Sequence, residues 1–157
     1  MEVAYVETPI GIAEIKGSKE AIVSISILDV EQQISTAIPE ILQLAAAQLQ
    51  EYFSGNRINF TFNLDPSGTN FQQKVWRALL EIPFGKTMTY LDLSKKIGDV
   101  KAIRAVASAN GKNPLWIVLP CHRVIGSDGA LTGYAGGLWR KKWLLEHESP
   151  NKQQSLF

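Results

Sequence analysis

The apolar spacing of this chain divides it at "DPSG" (residues 65–68) into a part that is mostly β-like, with one helix, and a part that is mostly helical, and that division limits the fold more than any other feature. Before it, apolar side chains mostly recur at every second residue, the period of a strand with one buried face. After it they recur three and four apart, the period of a helix. A chain that obeys both needs a β-rich part and a helical part, each with an apolar face to bury. Asp-Pro-Ser-Gly is turn chemistry, so a domain boundary is expected there. The expected division is residues 1–68, residues 69–150 and a flexible tail at 151–157.

In the first part, "VAYVET" and "IGIAEIK" read as strands separated by Pro9 and Gly11. In "AIVSISIL", Val23, Ile25 and Ile27 alternate with Ser24 and Ser26 as in a half-buried strand. From about Ser35 to Phe53 the apolar residues Ile38, Ile41, Leu42, Ala45, Leu49, Tyr52 and Phe53 predict a helix, stopped by "SGN" at 54–56. "INFTFNL" returns to alternation, with Ile58, Phe60, Phe62 and Leu64 on one face of a further strand.

The second part opens with Thr69 as N-cap and Gln72 three residues on, a capping box. Phe71, Val75, Leu79 and Ile82 form the stripe of that helix, and "PFG" ends it. "TYLDLSKKIG" predicts a helix from N-cap Thr89 to Gly98. "VKAIRAVASAN" predicts another that starts under Asp99 and stops at Gly111, with Val100, Ile103 and Val106 buried. Two short helices across a glycine turn outline a helix-turn-helix, an outline shared with αα corners that only pack. "LWIVLP" reads as a buried strand or extended run aimed at Cys121. In the last helix, "LWRKKWLLEHE", residues Leu138, Trp139, Lys142, Trp143 and Leu145 are expected to share a side. The expected fold class is mixed α/β, in the α+β sense.

Charge divides at the same place. Residues 1–70 hold three basic and nine acidic residues, a net of −6, whereas residues 71–157 hold thirteen basic and six acidic, a net of +7. A basic half suits a polyanionic partner, and a solvated surface is the alternative. The helix after Asp99 sharpens this: Ala102, Ala105, Ala107, Ser108 and Ala109 leave it almost bare, and Arg104 projects alone. A small-residue face admits close approach of a second surface. A single arginine fits a nucleic-acid groove or the gap left by a displaced base. No stretch approaches the roughly 20 apolar residues of a membrane span. The acidic opening "MEVAYVETPIG" lacks the features of a signal peptide.

Cys121 is the only cysteine, so no internal disulfide is available and a reducing cytoplasm is expected. With His122 and His147 it leaves no usual tetrahedral zinc set, so neither metal nor cofactor is expected. Most lone cysteines are small buried hydrophobes. Here Pro120 ends the apolar run and places the thiol at a rim, with His122 and Arg123 beside it to favour thiolate. Glu148 can orient His122 provided the last helix folds back, completing the Cys–His–carboxylate arrangement of an activated nucleophile. A thiol protease would use the same trio, but no protease signature surrounds the cysteine, and the charge division would go unused.

The segment "NPLWIVLPCHRVIGSDGALTGYAGGLWRKKWLLEHE" closely resembles the active-site region of the O6-alkylguanine-DNA alkyltransferases, the methylated-DNA–protein-cysteine methyltransferases. The resemblance continues upstream through "FQQKVWRALLEIPFGKTMTY" and "AIRAVASANGKNP", and more weakly through "LQEYFSGNRINFTFNLDPSGTNF", so that it spans nearly the whole chain. It implies a ribonuclease-H-like first domain and a second domain with a winged-helix-like DNA-binding unit. It also implies a function: irreversible transfer of the alkyl group from O6-methylguanine in duplex DNA, and secondarily O4-methylthymine, to Cys121.

The same resemblance assigns roles. His122 would take the thiol proton through a water, with Glu148 orienting the ring. Asn113 would tie the recognition helix to the cysteine loop. Tyr90 would donate to N3 of the leaving guanine, and Arg104 would fill the vacated stack. The carbonyls of Cys121 and Val124 would read the exocyclic amine, while Tyr134 and Ala135 line the pocket. Ala105 and Ser108 belong to the DNA-facing helix, and Lys95, Lys96, Lys101, Lys112 and Arg123 are candidate phosphate contacts. Many relatives carry Ser at the place of Ala135, which removes any hydroxyl contribution there. Some carry zinc in the first domain, and this chain lacks those ligands. A thioether does not release its alkyl group, and no second cysteine is present to take it, so one turnover per molecule is expected of a monomer. A non-catalytic module that only binds alkylated bases is the alternative.

Overall fold

The computed structural model describes residues Met1–Pro150, so the expected flexible tail lies outside the described residues. They fold as two compact units: Met1–Ser67 together with Pro114–Trp116, and Gly68–Asn113 together with the chain from Ile117 onward.

In the first unit, β1 (Glu2–Thr8), β2 (Gly11–Gly17) and β3 (Ile22–Ile27) form an antiparallel meander. The β1–β2 register pairs Glu2 with Gly17 and Thr8 with Gly11. Ala4, Val6, Ala13, Ile15, Ile25 and Ile27 are buried. Helix α1 (Glu40–Phe53) packs on β1 and β2 through Leu42, Ala45, Ala46, Leu49 and Tyr52. The register slips at Lys16/Gly17, where a Cβ on Gly17 would lie 2.9 Å from the Ala21 carbonyl and 3.1 Å from Leu42 Cδ2. Only glycine lets that strand end meet the helix.

Two expectations fail in this unit. Helix α1 begins at Glu40 rather than near Ser35, because Pro39 is its N-cap. A proline forces the residue before it, Ile38, toward extended backbone, so the helix does not propagate backward. "INFTFNL" is not a strand either. Only Leu64 pairs, in one parallel bridge to Ile22, and Ile58 is 54% exposed. Phe60, Phe62 and Leu64 do alternate inward against exposed neighbours, as their spacing implied. The backbone at Thr61 is served instead by the buried Gln48 side chain, whose Oε1 accepts the Thr61 amide at 2.9 Å.

"LWIVLP" also forms no strand. Leu115 makes a single parallel bridge to Ile25, with the Ile25 amide donating to Pro114 O and the Trp116 amide donating to Ile25 O. Ile117 then turns the chain with φ +75°, the only positive φ on a non-glycine among the described residues. For a β-branched side chain this is a strained backbone.

In the second unit, α2 (Asn70–Leu79) carries the full Thr69–Gln72 capping box. Then come β4 (Met88–Thr89), α3 (Tyr90–Ile97), a 3-10 turn at Val100–Ala102, α4 (Ile103–Gly111), β5 (Val124–Ile125) and α5 (Leu138–Glu148). Strands β4 and β5 pair in parallel. Helix α3 is capped by Thr89 and ended by Gly98 in left-handed backbone (φ +102°). Helices α2, α3 and α4 pack mutually, and the buried Trp76 indole donates to Ala109 O at 2.8 Å, fastening α2 to α4. A Cβ on Gly68 would collide with the Trp76 ring.

Two apolar faces differ from expectation. Val100 is exposed, because the Asp99-capped stretch is a 3-10 turn whose residues do not continue the α4 stripe. Helix α5 buries Arg140, Lys141, Leu144, Leu145 and Glu148, while Leu138 and Trp139 face outward. That helix is turned by what its polar residues bind. No described helix is long and apolar enough to cross a membrane.

Candidate active site

Cys121 opens a 3-10 turn, Cys121–Arg123, that Pro120 leads into. Helix α5 folds back so that Glu148, at its last turn, meets this turn. Glu148 Oε2 lies 2.8 Å from His122 Nε2. Arg123 grips the same carboxylate with two arms: Nε donates to Oε1 at 2.7 Å and Nη2 donates to Oε2 at 3.1 Å. Its Nη1 donates to the Ile82 carbonyl at 2.7 Å. Burial by itself would raise the Glu148 carboxyl, but His122 and Arg123 together pull it well below the usual carboxylate range. An ionised carboxylate accepts from Nε2–H, which fixes the imidazole tautomer and leaves Nδ1 as the basic nitrogen. Nδ1 is buried and has no protein hydrogen-bond partner among the described residues.

Arg123 therefore corrects one expectation. A buried guanidinium whose fork is closed on Glu148 is not offered to a DNA phosphate. Its charge holds the carboxylate. The thiol corrects another: Cys121 is 4% exposed, not at a rim. Burial pushes it up to about 11, against the hydrogen bond from Asn113 and the charge of Lys141. Its neighbours do not make it a resting thiolate, because the Arg123 charge is spent on Glu148 and desolvation dominates.

Two amides frame the cysteine. Asn113, buried just beyond α4, donates through Nδ2 to Leu119 O at 2.6 Å. Asn110, on α4 itself, donates to Cys121 O at 3.4 Å. Tyr90, the first residue of α3, donates its hydroxyl to Thr132 O at 3.3 Å. Burial raises the Tyr90 hydroxyl, against its bonds with Thr132 and Asn110, so it stays protonated. Burial likewise raises the Tyr134 hydroxyl well above its ordinary value. Val124 is buried and Ala135 is exposed on the loop that follows. Arg104, Ala105 and Ser108 are exposed on α4, and Lys101 is exposed on the 3-10 turn that precedes it.

Sequence reasoning missed Lys141 and Asn110. Lys141 is fully buried, and its ammonium donates to the carbonyls of Val124 (2.6 Å), Thr132 (2.8 Å) and Gly133 (3.2 Å). A signal existed. Lys141, Leu144, Leu145 and Glu148 are spaced three, four and seven apart, so a face that turns Glu148 inward must also turn Lys141 inward.

Fold and site together define a class: a two-unit α/β protein whose helical unit holds a buried cysteine beside a His–Glu–Arg array, with a short-helix pair bearing an exposed arginine. Residues 70–150 match the 6-O-methylguanine DNA methyltransferase DNA-binding domain, and residues 1–66 match the ribonuclease-like domain of the same family. The chain is 44% identical to the methylated-DNA–protein-cysteine methyltransferase of Methanosarcina barkeri, covering 93% of this chain and 96% of that one. It is also 44% identical to the Mycobacterium bovis protein of that name, covering 96% and 94%. The structure of Mycobacterium tuberculosis OGT in complex with DNA superposes with a TM-score of 0.85 at 41% identity, covering 94% of this chain and 92% of that one. This chain belongs to the 6-O-methylguanine DNA methyltransferase family.

Proposed function

We propose that this protein repairs duplex DNA by direct reversal, transferring the alkyl group from O6 of guanine to Cys121 and retaining it. Two observations support the reading together: membership of a family whose relatives are named for this transfer, and the buried His122–Glu148 contact at 2.8 Å beside the only cysteine. The alkyl carbon forms a bond to Sγ as its bond to O6 breaks, and that electron pair stays with the purine. The thiol proton passes through a water to His122 Nδ1. The imidazolium so formed faces an ionised Glu148, which stabilises it. Tyr90, still protonated, donates to N3 of the leaving guanine and offsets the charge that develops there.

A resting pKa of about 11 suits this sequence of events. A permanently exposed thiolate would react with any electrophile, whereas a buried thiol that loses its proton only within the assembled site is spent on the damaged base. The guanine must leave the stack to reach a buried sulfur. The exposed Arg104, Ala105 and Ser108 of α4, with Lys101 on the turn before it, suit that duplex contact, with Arg104 entering the gap. Lys95, Lys96 and Lys112, also exposed, add phosphate contacts. The carbonyls of Cys121 and Val124, with Tyr134 and Ala135, would surround the flipped base. The reaction is stoichiometric, since a thioether does not release its alkyl group and the sequence holds no second cysteine to take it, and it belongs to the reducing cytoplasm.

The test is to incubate the protein with duplex containing O6-methylguanine and weigh the peptide holding Cys121. A methyl in place of the thiol proton on that peptide is the expected product. Tight binding with an unchanged peptide would indicate a module that only recognises the lesion.

A further inference from the structure

Among the described residues no carboxylate pairs with the buried Lys141 ammonium. Glu148 is committed to His122 and Arg123, and the Lys141 ammonium instead faces three carbonyls. An ammonium has three protons, so the match is complete. Two of the acceptors, Thr132 and Gly133, lie on the loop between β5 and α5, and the third, Val124, lies in β5 itself. Thr132 O also accepts the Tyr90 hydroxyl, and the Tyr90 ring centroid is 5.8 Å from Lys141 Nζ. One cation thus joins α5, β5, the loop and the tyrosine at the head of α3.

We propose that Lys141 is a positioning residue: its ammonium fastens the 126–137 loop to β5 beside Cys121, and so holds the wall of the base pocket and the Thr132 acceptor that orients Tyr90. The proposal rests on the alkyl-transfer reading above. Without the clamp, three carbonyls, two on the loop and one in β5, lose their donor, and the Tyr90 hydroxyl loses a fixed partner.

The clamp is sensitive to pH. Burial lowers the Lys141 ammonium to about 8, and only a charged Cys121 thiolate would raise it. The other ionisable groups of this pocket do not take over its role. Tyr90 and Tyr134 are held protonated, Arg140 donates to Gly136 O, and Arg123 and His122 Nε2 are paired with Glu148. A neutral amine has two protons for three carbonyls, so the loop loosens as pH rises through about 8. Arginine keeps its charge throughout this range.

The experiment is single-turnover methyl transfer from methylated duplex, followed against DNA concentration and pH, for the wild type, Lys141→Met and Lys141→Arg. Binding of undamaged duplex reports whether each variant keeps the DNA-facing unit intact. In the wild type, the duplex concentration for half-maximal rate should rise above pH about 8. Lys141→Met should raise that concentration about tenfold or more at neutral pH, equivalent to about 1.4 kcal/mol, and abolish the high-pH change. Lys141→Arg should restore much of the neutral-pH value, also without the high-pH change. The positioning role is refuted if Lys141→Met matches the wild type, or if Lys141→Arg keeps the same break near pH 8. Should Lys141→Met not fold, Lys141→Arg alone decides. Failure of the underlying reading looks different, because the wild type itself would then take up no methyl.

Discussion

Replacing Glu148 with Gln keeps the shape of the side chain but removes the charge on which two buried cations or donors converge. In the wild type, Glu148 accepts from His122 at 2.8 Å and from Arg123 at 2.7 and 3.1 Å. The Gln amide can face only one of its two polar atoms as an acceptor; the other presents N–H against N–H. Arg123 is then a buried cation without a counter-charge, a change that costs about 3–5 kcal/mol. Against a total stability of about 5–15 kcal/mol for a protein of this kind, that is a large share. At ~2–4 °C per kcal/mol it lowers the melting temperature by roughly 6–20 °C. The variant should also transfer methyl about 10²–10⁴ times more slowly, since His122 loses the carboxylate that sets its tautomer and stabilises the imidazolium formed during transfer. The acid limb supplies a separate check. The folded-state Glu148 carboxyl titrates below its unfolded value of 4.5, so the unfolded chain takes up the proton first as pH falls. The stabilisation is present above about pH 4.5 and is lost below it, and Glu148→Gln should lack that part of the acid limb. Denaturant and thermal unfolding across pH, with single-turnover transfer at pH 7.5, measure all three. A variant that melts with the wild type, transfers within twofold of it and keeps the same acid limb would refute the reasoning.

Two further outcomes follow from the same geometry. Cys121 should react slowly with a small alkylating reagent in the folded protein near neutral pH and faster as pH climbs toward about 11; labelling at the rate of a free thiol would contradict its burial. Arg104→Ala should slow transfer from methylated duplex by about tenfold or more while leaving transfer from the free O6-alkylated base unchanged, because the proposed role of its exposed side chain is on the duplex and not on the sulfur. Equal loss on both substrates would place Arg104 in the chemistry instead.

Much of this molecule was legible without coordinates. Local chemistry, which depends on neighbours a few residues away, was read correctly: the Thr69–Gln72 box, the Thr89 cap, the Gly98 stop and the first three strands. Reading failed where a distant partner decided. Alternation in "INFTFNL" did place three side chains inward, but a strand needs a paired edge, and only Leu64 finds one. Pro39 was a local signal that apolar spacing concealed.

The candidate site divides the same way. Cys121, His122 and Glu148 could be nominated from residue type, because only certain side chains perform this chemistry. Whether His122 and Glu148 met depended on the return of α5, 26 residues on. The same return reversed the reading of Arg123, from a surface phosphate contact to the counter-charge of Glu148. It also turned Lys141 inward, where its charge opposes the burial that raises the thiol. Side-chain identity and local backbone preference are written in order along the chain. Desolvation and the pairing of charges are properties of a packed interior, and they exist only once remote segments have closed around the sulfur.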